Sequence, residues 1–108
     1  DGTFGDTESK ERTSTNAWCQ EECEEHDITQ TVVDRIGDLI QIPADNSENL
    51  QMLRYEPGQF YGIHHDYIIG QEKKAEGSRI LTVFMYLNDV EEGGATNFNQ
   101  LDLAVLPK

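Results

Sequence analysis

The stretch Tyr61-Gly-Ile-His64-His65-Asp66-Tyr67 places two imidazoles and a carboxylate at three consecutive positions. On an extended strand, residues two apart share a face, so His64 and Asp66 point one way and His65 the other. The strand rise sets the Cα atoms of His64 and Asp66 about 6.5–7 Å apart. Side chains at that separation can converge on one ion between them. Imidazole with carboxylate suits a borderline metal such as Fe(II), and a site of two histidines and one carboxylate leaves positions open for a cosubstrate and oxygen. The plainer reading is a surface histidine paired with an aspartate, and spacing alone does not separate the two.

Cys19 and Cys23 form a C-x-x-x-C pair among acidic residues. Three readings stay open: two free thiols, a local disulfide formed in an oxidising compartment, or a metal pair near His26. A zinc site needs more ligands than this cluster offers. On a helix, positions four apart hold their Cβ atoms about 5–6 Å from each other, whereas a relaxed disulfide wants ~3.5–4.5 Å. A bridge therefore requires a break in any helix here. The run Glu21, Glu22, Glu24 and Glu25 makes a continuous helix less favourable, which leans the reading towards the bridge. That run is itself read as a solvated face or helix start, with cation binding as the alternative.

Other elements must position these groups. Val32, Val33, Ile36, Leu39 and Ile40 recur at helical spacing and predict a helix over about 30–41. Thr29 or Thr31 can cap its start, and Pro43 lies just past its end. Its apolar stripe is expected to pack on a sheet. Before it, Asp1 to Thr15 reads as loop or extended chain, with one short strand near Arg12–Trp18. After Pro43 the pattern turns to strands. Leu50–Glu56 alternates and meets the turn signal Pro57-Gly58. Gln59–Tyr67 is a second strand, and Ile69–Ser78 a loop. Ile80–Leu87 is apolar nearly throughout, as expected of a strand buried on both faces. Asn88–Gly94 is an acidic turn, and Leu101–Leu106 a last short strand. The fold class is α+β, mostly β, as a sandwich or jelly roll.

The 108 residues make one small domain or a piece of a larger one, with a thin stability margin. A formal net charge of -13 argues against nucleic acid and anionic membrane surfaces. It would attract a basic peptide or a cation. No apolar run approaches the ~20 residues of a membrane-spanning helix, and no signal peptide is visible.

Several longer stretches are specific in order and spacing: Arg12-Thr-Ser-Thr-Asn-Ala-Trp18, Leu50-Gln-Met-Leu-Arg-Tyr-Glu56, Gly58-Gln-Phe-Tyr, His64-His-Asp-Tyr67, Arg79-Ile-Leu-Thr and Tyr86-Leu-Asn-Asp-Val-Glu-Glu-Gly-Gly-Ala-Thr96. From about Arg12 to Lys108 the chain resembles the prolyl 4-hydroxylase family, nearest its plant, algal and protist members. The resemblance implies a double-stranded β-helix, a jelly roll with a helix outside, incomplete in this chain. It divides the sequence into an acidic N-terminal segment, 1–29, and the N-terminal part of a 2-oxoglutarate dioxygenase domain, 30–108. It also implies peptidyl-proline 4-hydroxylation with Fe(II), 2-oxoglutarate and O2, and ascorbate as a further candidate cofactor. The partner would be a proline-containing peptide or protein, extended or in polyproline II form, with a larger protein assembly as another candidate. The family leans towards the secretory pathway, endoplasmic reticulum or Golgi.

Residue by residue, the resemblance makes His64 and Asp66 the first two iron ligands. Tyr55 matches the tyrosine that hydrogen-bonds the far carboxylate of 2-oxoglutarate, and Thr96 a threonine lining the same pocket. Arg79 matches an arginine near the peptide groove. Each has a plainer alternative: a core tyrosine, an ordinary strand threonine and a surface salt bridge. The family also carries, downstream, a second histidine as third iron ligand and a basic residue for the cosubstrate. Neither is in this sequence: His26 lies upstream, and Lys108 is not the cosubstrate lysine. Residues 1–108 alone are therefore expected to be inactive, with the sheet completed by residues beyond Lys108 or by another chain. The rival reading is a non-catalytic hydroxylase-like subunit.

Overall fold

The computed structural model describes residues 12–108, so the expectation for Asp1–Glu11 lies outside the described residues. The chain runs through β1 (Thr15–Trp18), α1 (Glu22–Glu25), α2 (Asp27–Ile40), β2 (Gln51–Arg54), β3 (Thr96–Phe98) and β4 (Leu103–Val105). Short 3-10 turns lie at Ala44–Asn46, Gln71–Lys73 and Asn99–Leu101.

β1 and β2 pair antiparallel, from Thr15 opposite Arg54 to Trp18 opposite Gln51. Along β2 burial alternates, with Gln51 and Leu53 turned in and Met52 and Arg54 out, the period expected of a half-buried strand. The pairing continues past both strand ends. The amide of Cys19 donates to the Leu50 carbonyl at 2.8 Å, and that of Thr13 to the Phe60 carbonyl at 2.9 Å. An isolated bridge then joins Arg12 to Tyr61. This zip carries the chain from β2 to the doorstep of His64.

α2 starts earlier than the apolar periodicity predicts, because its cap is His26 rather than a threonine. The His26 Nδ1 accepts the Ile28 amide at 3.1 Å, satisfying one of the donors a helix start leaves open. Thr31 instead turns its hydroxyl back onto the Asp27 carbonyl at 2.9 Å. The helix ends where Gln41 takes a left-handed conformation (φ 59) and its amide returns to the Gly37 carbonyl at 2.8 Å, two residues before Pro43. Thr29, Val32, Val33, Ile36, Gly37 and Ile40 form the half-buried stripe. Leu39, expected in that stripe, is 78% exposed. At 100° per residue it falls beside the stripe rather than within it.

Cys19 and Cys23 are joined in a disulfide with Cα atoms 5.2 Å apart, which removes the free-thiol and metal-pair readings. The helix break that the bridge requires is present: Cys19 follows β1, Glu21 adopts φ 54, and only then does α1 begin. The bridge staples β1 to the helical segment.

Two strand expectations are not met. Residues 59–67 form no strand beyond the single bridge at Tyr61, and 80–87 form none at all. Nor is the second segment buried on both faces: Ile80 is 84% and Leu87 81% exposed. A strand exists by its ladder partners, and no described strand lies alongside Ile80–Leu87. The strands make two separate two-stranded sheets, β1–β2 and β3–β4, with Thr96 opposite Val105 in the second. The jelly roll is not closed among these residues, and only Ser14, Cys19 and Gln71 are buried among them.

Candidate metal centre

His64 and Asp66 converge without a strand. The His64 Nε2 lies 3.2 Å from Asp66 Oδ1, with both side chains partly exposed. On its other side, His64 Nδ1 is 2.7 Å from the Gly62 carbonyl. That carbonyl can only accept, so Nδ1 carries a hydrogen and Nε2 is left facing the carboxylate. Tyr61 stacks on the imidazole at 3.7 Å between ring centroids and 10° between planes. The Arg12 guanidinium lies over the Tyr61 ring, 4.5 Å from its centroid. The β1–β2 zip thus sets Tyr61, and Tyr61 sets the plane of the His64 ring. The second Asp66 oxygen, Oδ2, accepts the hydroxyl of Thr82 at 2.6 Å.

These residues fit half of a metal site. A first-row metal held by nitrogen and oxygen at about 2.0–2.2 Å puts adjacent octahedral ligands roughly 2.8–3.1 Å apart and tetrahedral ones roughly 3.3–3.6 Å apart. The observed 3.2 Å lies between these ranges. The tautomer fixed by Gly62 presents Nε2, as a metal-ligating histidine with its other nitrogen bonded to a carbonyl does. No third His, Cys, Asp or Glu joins the pair in a metal-capable group among the described residues. His65 is exposed and bonded to neither member of the pair. The Nδ1 atom of His26 is occupied in capping α2.

The other three predicted residues are not gathered onto this pair. Tyr55 follows β2, is 44% exposed, and its hydroxyl has no hydrogen-bond partner among the described residues. Thr96 opens β3, and its hydroxyl lies 2.7 Å from that of Tyr86. The Tyr86 hydroxyl also donates to the Val105 carbonyl at 2.9 Å. A phenol has one proton, so Thr96 is the donor in their shared bond. Arg79 forms a two-pronged ion pair with Glu48, Nε to Oε2 at 2.6 Å and a terminal nitrogen to Oε1 at 2.9 Å. The hydrogen bond to Glu48 chiefly raises the Arg79 pKa; burial opposes it, and attraction to Glu48, Asp66 and Tyr61 adds to it. Arg79 is therefore within electrostatic reach of Asp66 while its hydrogen bonds go elsewhere. Beyond the pair, Tyr67 donates its hydroxyl to Glu72. That bond, aided by backbone amides, lowers the Glu72 pKa.

Thr82, Tyr61, Gly62 and Tyr86 were not singled out as site residues by sequence reasoning. One signal was present for two of them. In Ile80–Leu87 the polar atoms sit at Thr82 and Tyr86, four apart and so on one face of an extended segment.

Residues 50–108 match the 2OG-Fe(II) oxygenase superfamily. That span contains Tyr55, His64, Asp66, Arg79 and Thr96; the disulfide and α2 precede it. Among curated proteins, the chain is similar to "Probable prolyl 4-hydroxylase 3" of Arabidopsis thaliana, with 50% identity over 72 residues, 66% of this chain and 25% of that protein. It is 40% identical over 97 residues to "Prolyl 4-hydroxylase 5" of the same plant, covering 89% of this chain and 33% of that protein. A third relative, "Prolyl 4-hydroxylase 1", is 43% identical over 88 residues, 81% of this chain and 31% of its own length. The chain thus spans between 25% and 33% of the length of these relatives. No solved structure matches it.

Proposed function

The chain belongs to the prolyl 4-hydroxylase family of the 2OG-Fe(II) oxygenase superfamily, and from that premise we propose that it supplies two iron ligands, His64 and Asp66, for peptidyl-proline 4-hydroxylation. The observation that carries the proposal is the 3.2 Å approach of His64 Nε2 to Asp66 Oδ1, with the remaining polar atom of each side chain already bonded. Members of the superfamily work with Fe(II) and 2-oxoglutarate, which when bound supply the oxidising chemistry with O2. The part of this chain is to hold, orient and shield.

In this reading Tyr55, whose hydroxyl has no partner among the described residues, donates it to the far carboxylate of 2-oxoglutarate. Thr96 lines the same pocket, its orientation held through Tyr86 to the Val105 carbonyl. Arg79 lies beside the peptide path. An incoming proline-containing segment would have to compete with, or accept, its pairing to Glu48. The fold would be the jelly roll of the family, completed by strands outside the described residues. The Cys19–Cys23 bridge supports an oxidising compartment, and with it the secretory pathway. Ascorbate as a cofactor and a place in a larger assembly rest on the family resemblance alone.

The test is a chimera in which this chain replaces the matching third of Prolyl 4-hydroxylase 5. Succinate release with a proline-rich peptide is expected from the chimera, lost on His64→Ala and on Asp66→Asn. Residues 1–108 alone are expected to release none. A chimera folded by circular dichroism but inactive would move the reading to a non-catalytic hydroxylase-like subunit.

A further inference from the structure

We propose that Thr82 is a positioning residue for the metal carboxylate: its hydroxyl selects which oxygen of Asp66 is offered to the ion. The inference rests on the reading of His64 and Asp66 as metal ligands. A carboxylate has two oxygens and can bind a metal through either or through both. Here the two oxygens are in different situations. Oδ2 accepts the Thr82 hydroxyl at 2.6 Å, a short bond of the kind a charged acceptor makes. Oδ1 faces the Nε2 of His64 at 3.2 Å. The Nδ1 of that histidine is held by the Gly62 carbonyl at 2.7 Å, so the position between Nε2 and Oδ1 is where a cation is shared.

The consequence is geometric. With Oδ2 held, rotation of the Asp66 carboxylate about its Cβ–Cγ bond would break the Thr82 bond. One oxygen stays beside His64, and chelation through both is disfavoured. A one-oxygen carboxylate leaves one more coordination position open than a two-oxygen one. Thr82 lies 16 residues from Asp66 and is exposed. A buried packing role is therefore not what places it there. Outer contacts that orient metal ligands commonly change metal affinity 10–100-fold when removed.

The experiment uses the chimera with Prolyl 4-hydroxylase 5 described above, which restores the downstream strands and ligands, and Co(II), followed by its visible absorption and by the imidazole proton resonances of His64. Thr82→Val keeps the shape and removes the hydroxyl; Thr82→Ser keeps the hydroxyl and removes the methyl. Thr82→Val is expected to bind Co(II) at least about tenfold more weakly, with an altered absorption band. Thr82→Ser is expected to match the parent chain. Val binding as the parent does, or Ser losing as much as Val, overturns the role of Thr82. If Thr82→Val does not fold, Thr82→Ala gives the same comparison at this exposed position. Failure of the underlying reading looks different: Asp66→Asn and His64→Ala would then bind Co(II) as the parent does.

Discussion

Arg79 grips Glu48 through two parallel hydrogen bonds across 31 residues of sequence, and both side chains are only partly exposed, at 27% and 29%. The pair ties the segment before β2 to the start of the long apolar stretch. Planar two-pronged geometry makes this stronger than a typical surface pair. A double-mutant cycle with Glu48→Gln and Arg79→Gln is expected to give a coupling of about 1 kcal/mol in urea unfolding. Because the Arg79 pKa is raised, its side of the pair is in place at every pH below the ordinary arginine range. It is lost only as pH rises through the raised value. A coupling indistinguishable from zero would mean the guanidinium is free for another partner.

The Cys19–Cys23 bridge closes a short loop, so its stabilisation by chain entropy is modest, about 2 kcal/mol. Cys19→Ser with Cys23→Ser should lower stability by that amount and loosen β1 against the helical segment. Thiol titration of the unfolded, non-reduced chain should find none. Two titratable thiols would refute the bridge.

Glu72 provides the pH dependence. Its pKa is lowered from 4.5, chiefly by the Tyr67 hydroxyl. A carboxyl lowered on folding contributes stability that is present above the unfolded value and disappears as pH falls through the folded one. Its effect should therefore fade only as pH falls below the ordinary glutamate value. Glu72 is fully exposed, so the readout is its own titration, followed by carbon-detected NMR, rather than global stability. Tyr67→Phe should move the midpoint back up towards that of a free glutamate. No movement would mean the hydrogen bond does not hold in solution.

The segment 80–87 should behave as surface in the isolated chain. Phe84 is 51% and Met85 47% exposed. Phe84→Ala is therefore expected to cost less than about 1 kcal/mol in residues 1–108 alone, against ~3–5 kcal/mol for a buried phenylalanine. The same chain should bind a hydrophobic dye and associate as its concentration rises. A soluble monomer with a sharp thermal transition and no dye binding would show instead that the chain buries this face by itself.

The sequence by itself determined the features that depend on neighbours a few positions away. The period of Val32, Val33, Ile36 and Ile40 specified a helix, because 3.6 residues per turn stacks them on one face. Alternation around Leu53, with a turn after it, specified β2. His64 and Asp66 come within reach of one another, but not through the strand geometry that their spacing predicts, because residues 59–67 form no strand. What the sequence could not supply were events between distant segments. The α2 start moved to Asp27 because an imidazole, not a hydroxyl, caps it. Leu39 left the predicted stripe because the half-buried face is turned towards Gly37, away from Leu39. Residues 80–87 carry every local mark of a buried strand, yet they form none. A strand needs a partner ladder and a covering layer, and neither is encoded in the segment itself. Likewise, Asp66 can be read as a ligand from its motif, but which of its oxygens faces His64 was decided only when the chain brought Thr82 back to it.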